Sequence, residues 1–227
     1  MHAIVFDLDG TLVDSRRDIA ESLLAAVAGL GHESHVEATG LGAMVGRPLA
    51  DMLRAAVPGL NDAGVQRGTD LYRAHYLDHC LDHTTVFPGV APAIAALVGR
   101  VGLSRVRLGC ATTKRTDQAE RILAGLDLAD PMDLCLGTSV GMRYKPAPDL
   151  LLAAADALDT DPADLVYVGD TNLDLRAAHA AGGQAVWARW GYGDEATCLA
   201  AEPHHILNTP GDLATLADKL LGATATP

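Results

Sequence analysis

Short apolar runs recur along the chain at residues 3–8, 106–111, 134–136, 165–168, 184–188 and 205–207, often bounded by Gly, Asp, Thr or Pro. Runs of this length and composition predict strands buried on both faces. Between them, residues 91–98, 117–124, 148–158, 173–181 and 213–221 space their apolar positions at three and four, the period of a helix with one core-facing stripe. The alternation predicts an α/β protein with a doubly wound, mostly parallel sheet covered by helices on both sides.

One stretch breaks the pattern. From Ser15 to His83 no strand-like run occurs, only helical periodicity in the pieces 19–30, 48–57 and 68–81. We read 15–83 as an inserted helical domain and 1–14 with 84–227 as the α/β core. Phe87-Pro88-Gly89 serves as the return hinge. The Ala- and Thr-rich tail after Gly222 is expected to fray.

Composition narrows the function classes. A chain of 227 residues with 49% hydrophobic content can bury one sizeable core and a smaller second unit. A net charge of −12 repels nucleic acid and anionic membranes, so an anionic ligand must be captured locally. The chain begins without a basic leader and lacks any apolar run near the ~18 residues of a membrane span. A cytoplasmic protein is expected. Cys80, Cys110, Cys135 and Cys198 form no C-x-x-C pair and read as reduced thiols.

In open α/β sheets ligands bind beyond the carboxyl ends of the strands, so the residues that follow each apolar run carry the information. They are Asp7 and Asp9, Thr112, Lys145, and Asp170 with Asp174. Aspartates clustered there repel one another unless a cation joins them, and hard oxygen donors on an open face suit Mg²⁺. With Asp7 and Asp170 as ligands and Lys145 beside them, a phosphate dianion can approach a carboxylate that would otherwise reject it. Asp7 and Asp9, one residue apart, share a face of an extended strand, and a turn at Gly10 brings both around one substrate. One of the two can attack phosphorus, and the other can protonate the leaving oxygen and later activate water. Thr112 is expected to hydrogen-bond a phosphoryl oxygen. Lys145 offsets the charge.

Four segments in order, Asp7-Leu8-Asp9-Gly10-Thr11-Leu12-Val13-Asp14-Ser15, Ala111-Thr112-Thr113-Lys114, Lys145-Pro146-Ala147-Pro148 and Val168-Gly169-Asp170-Thr171-Asn172-Leu173-Asp174, resemble the motifs of the haloacid dehalogenase superfamily, within its phosphoglycolate phosphatase-like branch. The resemblance implies that Asp7 is the nucleophile and Asp9 the acid/base. It implies that Mg²⁺ is held by Asp7, the Asp9 carbonyl and Asp170, with Asp174 in support. It also implies that the insert is a mobile cap that closes over the site. The implied substrate is a small phosphorylated metabolite, first of all 2-phosphoglycolate, with Gly10, Thr11 and Thr113 as further substrate contacts, and Arg47, beside Gly46 at a turn of the insert, is nominated from its position for a substrate carboxylate or second phosphate. Where many relatives carry Thr-Asn-Lys this chain has Thr112-Thr113-Lys114. The presence of Asp9 argues against dehalogenation. A sugar phosphomutase resembling β-phosphoglucomutase, a pyrophosphatase and a nucleotide phosphatase are the alternatives. A phospho-accepting signalling receiver is a more distant one.

Several features carry a plainer reading. Asp174 and Thr112 could each cap the helix that follows. Arg47, at a turn beside Gly46, could be a solvated arginine. Gly40, Gly42 and Gly46 miss the G-x-G-x-x-G spacing and read as turn glycines, and Asp7-x-Asp9-Gly10 lacks the rest of a calcium loop. His75, His79 and His83 fall on one helix face at a spacing that zinc could use, but read as a solvated face of the insert. The sequence leaves monomer and homodimer equally open.

Overall fold

The computed structural model describes residues 2–42, 44–101 and 106–222, so the tail expected to fray lies outside the described residues. In chain order the elements are β1 (His2–Phe6), β2 (Val13–Asp14), α1 (Arg16–Gly29), α2 (Ala38–Gly42), α3 (Leu49–Ala56), α4 (Asp62–His79), β3 (Thr85–Val86), α5 (Val90–Val101), β4 (Val106–Thr112) and α6 (Thr116–Gly125). There follow β5 (Leu134–Gly137), α7 (Asp149–Ala157), a 3₁₀ turn at Pro162–Asp164, β6 (Leu165–Gly169), α8 (Asn172–Ala181), β7 (Gln184–Ala188), α9 (Glu195–Leu199), β8 (His205–Leu207) and α10 (Asp212–Gly222).

All six predicted strands form one sheet in the order β5-β4-β1-β6-β7-β8, and every pairing is parallel. The doubly wound α/β architecture follows from side-chain direction. Alternate residues of a strand face opposite sides. Ala3 and Val5 of β1, Tyr167 of β6 and Trp187 of β7 pack with Leu150, Leu151, Leu175 and Ala178 of α7 and α8. Ile4 and Phe6, Leu108 and Cys110, and Val166 and Val168 are equally buried on the opposite side, where α5 pairs with α10. Each of the larger aliphatic and phenylalanine side chains among them contributes about 1.5–3 kcal/mol on burial. That explains why β1 and β6 read as continuous apolar runs.

Strand β1 ends at Phe6, two residues earlier than its apolar run. The chain turns there, because the Leu8 carbonyl accepts the amides of Leu12 and Val13 at 2.9 and 3.0 Å. Gly10 sits at φ +87, a conformation that costs an L-residue about 1–2 kcal/mol.

The chain divides into two compact units, one of Asp14–Thr85 and one of the residues on either side of it. The two crossings are β2 and β3, which pair as a two-stranded sheet. Within the Asp14–Thr85 unit, α1 packs on α2 and α4, and α3 on α4. Ile19, Leu23, Ala26 and Val27 form the buried face of α1. Helix α4 starts earlier than its periodicity indicates, since the Asn61 side chain accepts the Gly64 amide at 2.8 Å, and it ends at His79. His83 therefore lies beyond the helix and off the face of His75 and His79, contrary to the sequence expectation. His75 is half-buried and its Nδ1 meets Ser22 Oγ at 3.0 Å. Gly40 and Gly42 belong to α2, and Gly46 is a turn glycine at φ +96. Among the described residues no helix is long and apolar enough to cross a membrane.

Candidate active site

Asp7, Thr112 and Asp170 stand at the carboxyl ends of the neighbouring strands β1, β4 and β6. The parallel register aligns Phe6 with Cys110 and Val168 and so brings the three ends level. The Asp7 amide donates to the Val168 carbonyl at 2.9 Å, which fixes its backbone to β6. Asp7, Asp170 and Asp174 each present a carboxylate oxygen within 4.8 Å of the others, and all three are buried.

Lys145 does not sit at a strand end as expected. Eight residues past the last residue of β5, it returns to the cluster from the loop before α7. Its ammonium lies 3.1 Å from Asp7 Oδ1 and 2.5 Å from Asp174 Oδ1, and donates to the Tyr167 hydroxyl at 3.0 Å. Tyr167 in turn donates to the Ala111 carbonyl at 2.7 Å. Burial opposes charge on Lys145, but Asp174 and Asp7 outweigh it and hold its pKa well above the ordinary value.

One cation against three buried carboxylates is not enough. Burial, which Lys145 only partly offsets, and repulsion from Asp174 and Asp9 push Asp7 up to about 7. Burial and repulsion from Asp174 and Asp7 push Asp170 well above the carboxylate range. Asp7 Oδ1 is buried, and the contact it makes is to the Lys145 ammonium at 3.1 Å, a cation it shares with Asp174. An oxygen left in this state, facing two more carboxylates, fits a hard divalent cation by its donor chemistry.

The Asp9 carboxylate lies near enough to Asp7 to repel its charge. It pairs with Lys114 at 2.9 Å, both side chains being nearly buried. Asp7 and Asp9 thus share a loop but use different cations, because the extended geometry that would align them stops at Phe6.

Thr112 is buried, and its hydroxyl oxygen accepts the Lys114 amide at 3.3 Å, which leaves its hydrogen to donate. Thr113 is half-buried in the same loop. That loop is braced by the one after β5, where Thr138 donates its amide to the Lys114 carbonyl at 2.8 Å. Asp174 has two jobs. Its Oδ2 completes a capping box by accepting the Thr171 amide and hydroxyl, while its Oδ1 takes Lys145. Thr11 is buried and donates to Asp170 Oδ1 at 3.2 Å. Arg47 belongs to the other unit, where it is exposed.

The end of β7 and the segment after it are a part of the site that the motifs do not reveal. Trp187 Nε1 and Cys198 Sγ donate to the Asp170 carbonyl at 3.0 and 3.4 Å, and the Tyr192 amide donates to Asp170 Oδ2 at 2.8 Å. Trp190 Nε1 donates to the Thr11 carbonyl at 2.9 Å. Backbone packs against Asp170 directly. A Cβ on Gly10 would lie 2.3 Å from Asp170 Oδ2, and one on Gly191 2.2 Å from Asp170 Cβ. The strand-end rule points to Arg189-Trp190-Gly191-Tyr192, which follows an apolar run as the other site residues do.

A family model described as haloacid dehalogenase-like hydrolase matches residues 4–188. This chain belongs to that family. It is 34% identical to the phosphoglycolate phosphatase, plasmid, of Cupriavidus necator over 95% of this chain and 96% of that protein. It is 36% identical to the phosphoglycolate phosphatase of Neisseria meningitidis over 86% of this chain and 83% of that one. A haloacid dehalogenase-like family hydrolase of known structure from Streptococcus pneumoniae superposes with a TM-score of 0.81 at 27% identity, covering 95% of this chain and 98% of that one. The chain is a phosphatase hydrolase of the haloacid dehalogenase-like family.

Proposed function

We propose that this haloacid dehalogenase-like phosphatase hydrolyses a small phosphomonoester with Mg²⁺, through an aspartyl-phosphate on Asp7, and that 2-phosphoglycolate is the first substrate to test. The observation that carries the reading is the convergence of three buried carboxylates, Asp7, Asp170 and Asp174, on the single ammonium of Lys145. Asp7, the Asp9 carbonyl and Asp170 would hold the ion, with Asp174 in support. Bound there, the cation offsets negative charge on the carboxylates and the phosphoryl group. The relatives named as phosphoglycolate phosphatases support the choice of substrate.

The protein's own groups divide the rest of the reaction. An Asp7 carboxylate oxygen attacks phosphorus, and the bond to the ester oxygen breaks. Asp9 gives that oxygen its proton and then takes one from water, which attacks the phosphorus of the acyl phosphate and releases phosphate and free Asp7. Lys114, paired with Asp9, stabilises the charge Asp9 carries after giving up the proton. Thr112 donates its free hydroxyl hydrogen to a phosphoryl oxygen, joined by contacts from the loops of Gly10, Thr11 and Thr113. Lys145 keeps the attacking carboxylate and phosphoryl oxygens from repelling each other. The Asp14–Thr85 unit is the proposed cap domain of the family fold, and Arg47 within it is a candidate for a substrate carboxylate.

The test is a panel of phosphate esters, sugar phosphates, pyrophosphate and nucleoside monophosphates, assayed with Mg²⁺ and with chelator, alongside Asp7→Asn. Turnover of 2-phosphoglycolate that needs the metal and disappears in Asp7→Asn is expected. Turnover unchanged in that variant would overturn the mechanism. Isomerisation of a bisphosphate-primed sugar alone would overturn the hydrolase assignment.

A further inference from the structure

A second group of metal-binding side chains lies wholly within the Asp14–Thr85 unit. Asp18 and Glu21, one turn apart on α1, and His83, just past α4, each present a ligand atom within 4.8 Å of the others. Asp18 is only 2% exposed. Its Oδ2 accepts the amides of His83 and Thr84 at 3.1 and 2.8 Å and the Thr84 hydroxyl at 2.7 Å. Its Oδ1 is buried and, among the described residues, has no hydrogen-bond partner. A buried carboxylate oxygen without a donor or cation costs on the order of 1–3 kcal/mol or more.

The two other donors complete a recognisable set. His83 Nε2 lies 3.6 Å from Glu21 Oε2. Two ligands about 2.0–2.1 Å from one tetrahedral ion sit about 3.4 Å apart, so this spacing needs almost no movement. Arg17 takes the other Glu21 oxygen, Oε1, at 2.8 Å and leaves Oε2 turned to His83. Imidazole beside two carboxylates selects a borderline ion of the zinc class over Mg²⁺, in contrast to the all-oxygen cluster around Asp7. The rings of His75 and His79 stack on each other, with Nδ1 of each meeting Ser22 at 3.0 Å and Asp82 at 2.8 Å, and it is His83 that converges with Asp18 and Glu21.

We propose that Asp18, Glu21 and His83 form a second cation site that takes Zn²⁺ or a similar transition-metal ion, with solvent in the remaining position. Occupancy would tie α1 to the segment that leads into β3. An ion held by Asp18 would add a partner to a buried carboxylate whose Oδ1 has none among the described residues.

Zinc binding by the full-length protein in excess Mg²⁺ tests the site, with stoichiometry from equilibrium dialysis and geometry from the visible spectrum of a Co²⁺ substitute. One zinc equivalent is expected in the wild type and in Asp170→Asn. It should weaken at least tenfold in His83→Ala and in Glu21→Gln. Both substituted side chains reach solvent, 35% and 45% exposed, so the variants are expected to fold, and Asp18, which accepts the His83 and Thr84 amides, is left intact. Zinc retained in His83→Ala and Glu21→Gln, or lost in Asp170→Asn, would overturn the proposal. So would the absence of bound zinc in the wild type.

Discussion

The burial of Asp7 sets up a measurable opposition between stability and catalysis. Its pKa stands at about 7 in the folded protein, against an ordinary 3.8, chiefly because burial disfavours the charge. The folded chain therefore holds a proton that the unfolded chain has lost. Without metal, the Asp7 contribution to stability is full below about pH 4, falls by about 1.4 kcal/mol per pH unit as pH rises toward 7, and levels off above. The ionised carboxylate thus costs about 4 kcal/mol at pH 8 and about 2 kcal/mol at pH 5.5. Asp7→Asn keeps the shape of the protonated carboxyl and never ionises. In chelator, the variant should be more stable than the wild type by about those amounts while losing phosphatase activity. Urea unfolding followed by the fluorescence of Trp187 and Trp190, at both pH values with EDTA, measures the difference. Saturating Mg²⁺ should shrink it, because the ion favours the charged wild-type site. A metal-free Asp7→Asn protein less stable than wild type at pH 8, or a gap that does not widen from pH 5.5 to 8, would refute the reasoning.

Lys145→Met leaves Asp7 and Asp174 without their shared buried cation, and a loss of about 3–5 kcal/mol is expected at pH 8, shrinking at acid pH where the carboxylates protonate. Urea denaturation at the two pH values checks this. Gly191→Ala places a Cβ 2.2 Å from Asp170 Cβ and 2.3 Å from the Gly10 carbonyl, so Mg²⁺ affinity measured by activity titration should fall at least tenfold, and wild-type affinity would count against the packing. Asp9→Asn should lower kcat by about 10²–10⁴, most for alkyl phosphates and least for p-nitrophenyl phosphate, whose leaving group needs no proton. An equal loss for both substrates would remove Asp9 from the acid role.

What the sequence discloses and what it conceals divide along physical lines. The six strands are legible because parallel strands covered on both faces must be apolar at nearly every position, as in Ile4-Val5-Phe6 and Val166-Tyr167-Val168. Asp7, Thr112 and Asp170 are legible because a strand end in such a sheet places whatever follows it. Lys145 carries the right residue type but reaches the cluster through a loop that no periodicity describes. The pairing of Asp9 with Lys114 depends on the chain turning at Leu8 rather than extending through it. His83 misleads because helical spacing from His75 holds only while the helix lasts, and α4 stops at His79. Gly191 and Gly193 look like ordinary loop glycines until the space beside them is seen to be filled by Asp170.

The glycines also account for the site's electrostatics. Asp170 is fully buried because Gly10, Gly191 and Gly193 let backbone close on it where side chains would hold it open. That closeness excludes water, and exclusion of water rather than the number of carboxylates drives Asp7 and Asp170 upward in pKa. A more open cluster of the same aspartates would ionise freely and gain little from a cation. Here the cation regains a solvation that folding has removed, so metal affinity and the cost of the metal-free state are two readings of one quantity. Substitutions that loosen the glycine wall should therefore weaken metal binding and relieve the pH-dependent loss of stability together.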